Sequence, residues 1–352
     1  MKKLNTISIC MIVKNEERVL ARCLDSLKGI GDEIIIVDTG STDRTREIAA
    51  RYTDQIYDYV WRDDFADARN FAFSKAKMEF IYSADADEVL DEENRKRFLD
   101  LKRLRMEEIE IVQMKYTNQL SMGTTYNFDQ EYRPKLFRRL RTFLWTEPVH
   151  EMVRLDPVVY DSEIEICHMP EQNHAGRDFH IYDRVLKRGE RLSERLLHMY
   201  AKELFFSGKK EDFVQAIPAF ERMKRDETRS ADEMNYIIAV LSKAYRLLGK
   251  IHEFFRGMVH AVASDPCSEI CYELGEYFFE KKEYEEAVIW FYNAAFTTGA
   301  FLNIHYQGDY PRKRLMECYG ALGRTEEELH YRTLWQEWKP DEQQLANHKV
   351  ER

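Results

Sequence analysis

Three acidic residues follow a short apolar segment, and two of them are spaced so that they could bind a cation together. The segment Phe80–Ala84 is apolar or small in character, and Asp85, Asp87 and Glu88 follow it. This pattern predicts a buried strand with carboxylates at its end, and parallel sheets bind ligands at the carboxyl ends of their strands. Since Asp85 and Asp87 flank one small residue, both can converge on a divalent ion, and their oxygens suit Mg²⁺ or Mn²⁺. A solvated acidic turn is the alternative that this motif alone leaves open.

Polar side chains also follow two earlier apolar runs. The run that ends at Val13 is followed by Asn15, Glu16 and Glu17, and the next run ends in Asp38. At the end of a strand, Asp38 is placed to accept hydrogen bonds from a ribose or a base edge. A structural alternative exists for the first group, in which Asn15 caps a helix and the two glutamates occupy its first turn.

Strand and helix patterns alternate along the first half of the chain. Strands are predicted at residues 7–13, 33–37, 55–61, 80–84, 109–118, 126–137 and 163–167. The repetition predicts an α/β fold with a mixed sheet and right-handed crossovers. Residues 88–108 predict an amphipathic helix with Phe98 and Leu104 among its inward-facing residues.

Cations and further polar residues follow in the second part of this region. Five cations lie close together, namely Arg133, Lys135, Arg138, Arg139 and Arg141. A solvated edge strand explains most of them, because lysine and arginine discourage pairing at sheet edges. The next segment contains Glu147, His150 and Glu151. The last predicted strand ends in His168, and residues 168–179 are predicted to form a loop.

The chain beyond about residue 178 has helical patterns only. Aromatic and small residues recur there at intervals of about 33 to 41 residues, as they do in helical repeats. The best unit, residues 268–297, resembles a tetratricopeptide repeat, and a non-repeating helical domain is the alternative. We predict two domains, 1–177 with the sheet and 178–352 all helical. Stacked repeats would offer a surface for an extended peptide or for self-association.

Charge, hydropathy and cysteine usage exclude several classes of protein. The formal net charge of −10 argues against a general nucleic-acid-binding protein. No apolar run reaches the ~20 residues of a membrane span, and the N-terminus lacks the apolar core of a signal peptide. The six cysteines are scattered without C-x-x-C spacing, which is typical of reduced thiols in a cytoplasmic protein.

Four motifs in this order resemble those of the GT-A glycosyltransferases of family 2. They are Ile9–Glu17, Val37–Asp43, Ala68–Asn70 and Asp85–Asp87. Together with the segments 64–70 and 149–151, the helical tail looks most like the bacterial branch that includes the peptide S-glycosyltransferases of glycosylated bacteriocins. The first half also resembles lipopolysaccharide-core glucosyltransferases. The resemblance covers roughly residues 5–170, and the tail only in kind. It implies a GT-A (Rossmann-like) mixed-sheet domain followed by an all-α tetratricopeptide-like domain.

The resemblance also implies a nucleotide-sugar site and a metal site. The first would comprise Val13, Glu16, Asp38, Arg69, Asp85 and Ala86. We add Arg133 on chemical grounds, since a guanidinium donates charge-assisted hydrogen bonds to phosphate oxygens. By the resemblance, Asp87 would be the main ligand of Mg²⁺ or Mn²⁺, with His168 beside the metal. Thr39 departs from the family pattern, because many relatives carry a second aspartate there.

The implied reaction is transfer of a hexose from a UDP-sugar, UDP-glucose or UDP-GlcNAc, to a cysteine or serine of a peptide or protein. Transfer with inversion needs a base opposite the leaving group. Glu151 is the first candidate and Glu147 the second, and a purely positioning role for Glu151 is the alternative. We expect His150 to orient this segment rather than to bind the metal.

Two other functions stay open at the level of the sequence. A glycosyltransferase acting on a lipopolysaccharide-core or lipid-linked sugar would associate peripherally with a membrane through a basic patch such as residues 133–141. A non-catalytic repeat scaffold that binds a nucleotide sugar is the second, and the retention of all the acids argues against it. A homo-oligomer is compatible with each function.

Overall fold

The structure is a computed structural model that describes residues 4–117, 131–141, 143–153, 157–169, 175–263 and 266–340. The chain divides into two compact units, Met1–Ile181 and Tyr182–Arg352. The first unit holds the strands, and the second is helical. The boundary expected after residue 177 falls within the helix Ala175–Lys187.

A mixed sheet organises the first unit. The described strands of this unit are β1 (Ile7–Val13), β2 (Glu33–Asp38), β3 (Ile56–Asp58), β4 (Phe80–Ala84), β5 (Glu88–Val89), β6 (Ile111–Thr117), β7 (Glu131–Arg138), β8 (Trp145–Thr146), β9 (Met152–Val153) and β10 (Val159–His168). Eight of them form one sheet in the order β3-β2-β1-β4-β7-β6-β10-β5, and β8 pairs with β9 as a separate hairpin. Strand β7 is antiparallel to β4 and β6, and β5 is antiparallel to β10, whereas the other pairs of the sheet are parallel. The predicted α/β, GT-A-type mixed sheet is confirmed.

Helices pack against both faces of the sheet. They are α1 (Leu20–Ser26), α2 (Thr45–Ala49), α3 (Phe65–Lys75) and α4 (Glu92–Leu101). Leu24 and Phe98 belong to the core on one face, and Ala72 lies with Ile81 in the core on the other. Strand β4 is buried along its whole length. A strand covered on both faces reads as a continuous apolar run, which is why β1 and β4 were recognisable in the sequence.

The segment after β1 differs from its prediction. Helix α1 begins at Leu20, has no side-chain cap and has no acid in its first turn, so the predicted capping role of Asn15 is wrong. Asn15 instead has a positive φ of 57°. Its Oδ1 accepts a hydrogen bond from the backbone N–H of Thr42 at 2.7 Å. The side chain therefore joins two loops rather than starting a helix.

Strand β7 is not a solvated edge strand, because it lies between β4 and β6. Lys135 is only 5% exposed, and the Arg138 guanidinium lies 4.8 Å from the centre of the Phe80 ring. Arg139 and Arg141 are exposed. The cluster of cations suggested an edge strand, because local composition does not reveal the long-range strand pairing that places β7 inside the sheet. The part of the predicted strand at residues 126–130 lies outside the described residues.

Residues 88–108 also form a different structure from the predicted helix. Glu88 and Val89 form β5, and helix α4 starts only after Asp91, whose side chain accepts the N–H of Asn94. Phe98 is buried as predicted, but Leu104 lies beyond the helix and is 52% exposed. The predicted loop at 168–179 is replaced by helix from Ala175 onward, and residues 170–174 lie outside the described residues.

The second unit consists of helices that pack both on neighbours in sequence and on helices further along the chain. The remaining α-helices of the described residues are α5 (Ala175–Lys187), α6 (Glu194–Ser207), α7 (Lys210–Lys224), α8 (Ala231–Leu248), α9 (Ile251–Ala263), α10 (Ser268–Glu280), α11 (Tyr284–Phe296), α12 (Asp309–Ala321) and α13 (Thr325–Gln336). The predicted unit 268–297 is the pair α10 and α11, which pack together. Gly275 allows their close approach, because a Cβ there would lie 2.6 Å from the Phe291 ring.

The segment between α11 and α12 packs back onto other helices of this unit. The buried carboxylate of Glu269 accepts the backbone N–H groups of Leu302 at 2.7 Å and Asn303 at 2.9 Å. The Lys243 ammonium donates to the Tyr306 hydroxyl at 2.6 Å. Leu302, Asn303 and Tyr306 are all buried. This part of the helix surface is therefore covered by the chain itself.

We expect Gly275→Ala to lower the thermal stability. The added methyl would meet the Phe291 ring at 2.6 Å, and overpacking of this kind costs about 1–3 kcal/mol, more than the helix propensity gained. Gly257→Ala in α9 is the matched control, because its Cβ would have no heavy atom nearer than 3.9 Å. That variant should be stabilised by about 0.5–1 kcal/mol. Unfolding followed by circular dichroism measures both, and equal shifts would contradict the close packing.

Candidate active site

The acidic turn after β4 brings Asp87 next to His168. After the turn, β5 pairs with the last residues of β10, so that Glu88 lies opposite His168. The N–H of Met169 also donates to the Asp87 carbonyl at 2.9 Å. As a result, the Asp87 Oδ2 and His168 Nε2 atoms lie 3.1 Å apart. The short pairing of β5 with β10 thus brings the two predicted metal-site residues, Asp87 and His168, together.

Arg133 and His168 lie against the same aromatic ring. Its guanidinium lies 3.9 Å from the centre of the Tyr116 ring. The centre of the His168 ring is 5.2 Å from that of Tyr116. Arg133 also forms an ion pair with Glu131. The buried Tyr116, which sequence reasoning missed, therefore supports both a cation and the histidine beside Asp87.

Asp85 has a different environment from Asp87, because both of its oxygens contact cations. Its Oδ1 accepts from Arg69 Nη2 at 2.8 Å, and its Oδ2 accepts from Lys135 Nζ at 3.2 Å. Burial alone would raise the pKa of Asp85, but the charges of Arg69 and Lys135 outweigh it and hold that pKa well below its usual range. Asp85 is therefore an anion fixed between two cations.

Each of these cations also contacts a second carboxylate. Arg69 Nε is paired with Glu151, and Lys135 is paired with Glu88. Burial raises the pKa of Glu88 to about 7, against the lowering effect of Lys135 and with a further rise from Asp85. The pKa of Lys135 is raised, because the charges of Asp85 and Glu88 outweigh the effect of its burial. The result is one network of three carboxylates and two cations.

Like Tyr116, Lys135 and Glu88 are site residues to which the sequence analysis assigns no role. The sequence pattern predicts Lys135 as a cation of an edge strand and Glu88 as the start of a helix. A signal was present for Lys135, since it precedes the apolar Leu136 and Phe137 inside a strand pattern. A lysine that interrupts an apolar strand is expected to have a buried partner.

The hairpin of β8 and β9 holds the two candidate bases, and α3 anchors it. The Asn70 side chain donates to the Trp145 carbonyl at 3.0 Å and accepts the Trp145 N–H at 2.9 Å. The N–H of Phe65 donates to the Pro148 carbonyl at 2.9 Å. Glu147 and His150 have positive φ angles of 71° and 48°. These backbone conformations are uncommon for such residues and point to a segment whose shape is set by its anchors.

The candidate nucleotide end of the site lies at the ends of β1 and β2. Val13 and Asp38 are register partners on these strands. Asp38 is buried, and its Oδ1 accepts the N–H groups of Gly40 at 3.1 Å and Ser41 at 2.8 Å. Gly40 has a φ of 100°, a conformation that glycine adopts without strain. Asp38 therefore stabilises its own turn, in addition to its predicted role towards uridine.

Reciprocal hydrogen bonds tie the β1 loop to the β2 loop. The Glu16 N–H donates to Thr45 Oγ1 at 2.6 Å. The Glu17 N–H donates to the Asp43 carboxylate at 3.1 Å, and the Glu17 carboxylate accepts the Arg44 N–H at 3.1 Å. The polar residues of the first two motifs therefore have a structural role that their sequence pattern did not reveal.

The predicted site residues fall into neighbouring groups along the carboxyl end of the sheet. Val13, Glu16 and Asp38 lie at the ends of β1 and β2. Arg69 donates hydrogen bonds to both Asp85 and Glu151, so these three residues form a second group. Asp87 lies with His168 and, through Tyr116, near Arg133. Ala86 is the buried residue between the two aspartates, and Glu147 lies in the hairpin.

The donor set fits a divalent ion that is completed by a substrate. Within the described ranges, no group of three or more histidine, cysteine, aspartate or glutamate side chains could hold a metal by itself. Asp87 and His168 supply two donors 3.1 Å apart, while both oxygens of Asp85 contact cations. Mg²⁺ commonly takes one or two protein carboxylates plus substrate phosphates, and an imidazole ligand also suits transition metals such as Mn²⁺. The pair therefore fits such an ion with a diphosphate.

Comparison with known proteins agrees with this architecture. Residues 8–154 match the profile of the glycosyl transferase family 2. A TPR (tetratricopeptide) repeat-containing protein of Synechococcus elongatus is 46% identical over 84 residues, which are 24% of this chain and 21% of that protein. The SPbeta prophage-derived glycosyltransferase SunS of Bacillus subtilis is 37% identical over 101 residues, 28% of this chain and 24% of that protein. An uncharacterized glycosyltransferase of Rickettsia typhi is 38% identical over 93 residues, 26% and 30% of the two chains.

The chain matches only part of each of these relatives. The matches cover only 21% to 30% of the length of the relatives. Glucosyl-3-phosphoglycerate synthase from Mycobacterium tuberculosis aligns with a TM-score of 0.37 at 15% identity, over 54% of this chain and 81% of that chain.

The mixed sheet with its acidic turn defines a sheet domain of the GT-A type. By the matched profile, residues 8–154 form a family 2 glycosyltransferase domain. The region that follows is helical and contains packed helix pairs such as α10 and α11. Among the helices of the described residues, none is both long and apolar enough to cross a membrane.

We expect Asn70→Ala to loosen the hairpin that holds Glu147 and Glu151. The variant removes both bonds to Trp145, so the Trp145 amide should exchange its hydrogen about tenfold faster, as the loss of one hydrogen bond predicts. Ser74→Ala is the control on the same helix, because that hydroxyl donates to the Phe71 carbonyl. Hydrogen exchange followed by mass spectrometry or NMR measures both. Unchanged protection of Trp145 would contradict the anchoring role.

Proposed function

We propose that this protein transfers a hexose from UDP-glucose or UDP-GlcNAc, with inversion, to a cysteine or serine of a peptide or protein. The observation that carries the proposal is the Asp87–His168 pair, 3.1 Å apart at the carboxyl end of the sheet of a family 2 glycosyltransferase domain. Ligands of α/β sheets bind at this end of the strands. The resemblance of the motifs supports the choice of donor.

A divalent ion on Asp87 and His168 would stabilise the charge that develops on the departing diphosphate. Arg133 is the nearby cation that we assign to the diphosphate oxygens, because its guanidinium lies over Tyr116 beside His168. Val13, Glu16 and Asp38 would bind the nucleoside at the ends of β1 and β2. Arg69 is already engaged by Asp85, Glu151 and the Ser83 hydroxyl. We therefore give it an orienting role in the site.

At the anomeric carbon, the transfer step makes one bond and breaks one. The acceptor sulfur or oxygen bonds to the anomeric carbon, the bond from that carbon to the diphosphate breaks, and UDP leaves with the electron pair. The acceptor proton passes to a carboxylate on the opposite face of the sugar. Glu151 is our candidate for this base and Glu147 the second. Arg69 and the hairpin orient Glu151, since its ion pair with Arg69 is partly buried.

The five cations of residues 133–141 favour a peptide over a lipid-linked acceptor. A membrane-docking patch needs several exposed cations. Of the five, Lys135 is buried, Arg138 lies against Phe80, and Arg141 pairs with Glu110. We accordingly propose a cytoplasmic enzyme whose acceptor is a polypeptide. The resemblance to peptide S-glycosyltransferases supports this choice.

We expect Asp87→Asn and His168→Ala to weaken the binding of Mn²⁺ in the presence of UDP by more than about tenfold, the loss that even an outer-shell contact can cause. Turnover of the UDP-sugar should fall on the order of a hundredfold, as for other lost electrostatic stabilisers. Asp100→Asn is the control, because Asp100 is exposed on α4. Electron paramagnetic resonance of Mn²⁺ and UDP release measure the two effects. Normal metal binding by Asp87→Asn would remove the metal site from the proposal.

We also expect a cysteine peptide to gain one hexose or N-acetylhexosamine by mass spectrometry. Its transfer rate should rise between pH 7 and 8.5 more steeply than that of the matched serine peptide, because a thiol ionises near pH 8.5 and a serine hydroxyl does not. A lipid-linked sugar acceptor in liposomes is the comparison. Transfer to the lipid-linked sugar alone would overturn the peptide acceptor and leave the glycosyltransferase assignment standing.

A further inference from the structure

Lys135 lies inside the charge network, and the proposed function gives it no part in the reaction. Its side chain is 6% exposed. Its Nζ donates to Asp85 Oδ2 at 3.2 Å, to the Ser83 carbonyl at 3.3 Å and to the Glu88 carboxylate. Because Lys135 is buried, its contacts with these carboxylates are screened less by salt and solvent than contacts between surface charges. Lys135 therefore acts strongly on the orientation of Asp85.

The two cations fix the Asp85 carboxylate from opposite oxygens. Arg69 holds Oδ1 and Lys135 holds Oδ2. Arg69 in turn holds Glu151 through Nε. A continuous chain of charged contacts thus runs from Lys135 through Asp85 and Arg69 to Glu151. Its members come from β7, the turn after β4, α3 and the hairpin.

From this geometry we infer that Lys135 is a positioning residue for Glu151. Its ammonium fixes Asp85, Asp85 fixes the Arg69 guanidinium, and Arg69 orients the Glu151 carboxylate. Glu88 balances the charge of Lys135 and holds the turn by accepting the Asp85 N–H at 3.3 Å. The effect on turnover rests on the proposed function, in which Glu151 is the base. The coupling between Lys135 and Arg69 does not.

The test variant is Lys135→Met/Glu88→Gln, which removes both charges of the buried pair. Lys135→Met alone would leave Glu88 buried without its cation, and such unpaired charges often prevent folding. The matched control is Lys102→Met/Asp32→Asn. Lys102 is also buried, and its Nζ donates to Asp32 at 2.9 Å and to the Ile30 carbonyl at 2.6 Å. That pair lies beside the amino end of β1, because Asp32 accepts the Ile7 N–H.

The first measurement needs no turnover. In ¹⁵N NMR spectra, the Arg69 Nε–H signal is assigned by its loss in Arg69→Lys. We expect this signal to shift in the test variant, because a displaced guanidinium loses the hydrogen bond from its Nε–H to Glu151. The Nε–H should then exchange with water about tenfold faster, as the loss of one hydrogen bond predicts. It should stay in place in the control. An unmoved Arg69 signal in a folded test variant would overturn the inference.

The second measurement is the turnover of the UDP-sugar. The test variant should lower kcat about a hundredfold, as misplaced catalytic groups do, with KM for the UDP-sugar changed less than about threefold. Adding Glu151→Gln to it should lower kcat little further, because both changes act on one group. If the fold-decreases in kcat from the test variant and from Glu151→Gln multiplied in the combined variant, the inference would be overturned. An unmodified protein that transfers to no acceptor would defeat the proposed function, while the Arg69 signal would still decide the coupling.

Discussion

The double ion pair of Asp85 is the contact on which the rest of the site depends. Arg69 and Lys135 hold its two oxygens and reach onward to Glu151 and Glu88. Because the network is largely buried, each charge needs its partners, and removing one leaves another uncompensated. The turn after β4, β5, β7, α3 and the β8–β9 hairpin therefore share one set of charges. Their relative positions are set by electrostatics as well as by packing.

The two aspartates of the acidic turn have different surroundings, although one residue separates them. Asp85 faces cations of the protein, and Asp87 faces His168 where β5 pairs with β10. A carboxylate that already contacts two cations is a poor ligand for a third, whereas a carboxylate beside an imidazole can share an ion with it. The turn thus separates an orienting acid from a candidate metal ligand.

The helical unit contributes a different constraint. Its segment between α11 and α12 is held by Glu269 and Lys243 and buries Leu302 and Tyr306. Helix surfaces that a repeat protein would offer to a ligand are here in part covered by the chain. A peptide acceptor would therefore need the surfaces of this unit that stay exposed. The peptide-binding helical surface expected from the sequence is therefore limited to those exposed surfaces.

The sequence by itself determined the buried strands, the acids at their ends and the helical character of the tail. These features are local, since an apolar run or a helical period is visible within a few neighbouring residues. Only the tertiary structure decided that β7 lies inside the sheet, that Glu88 pairs in β5, and that Asn15 joins two loops. Each of these depends on contacts between residues distant in sequence. Lys135 shows the reason most clearly, because the same lysine would be a solvated cation on an edge strand and is a buried partner of Asp85 on a central one.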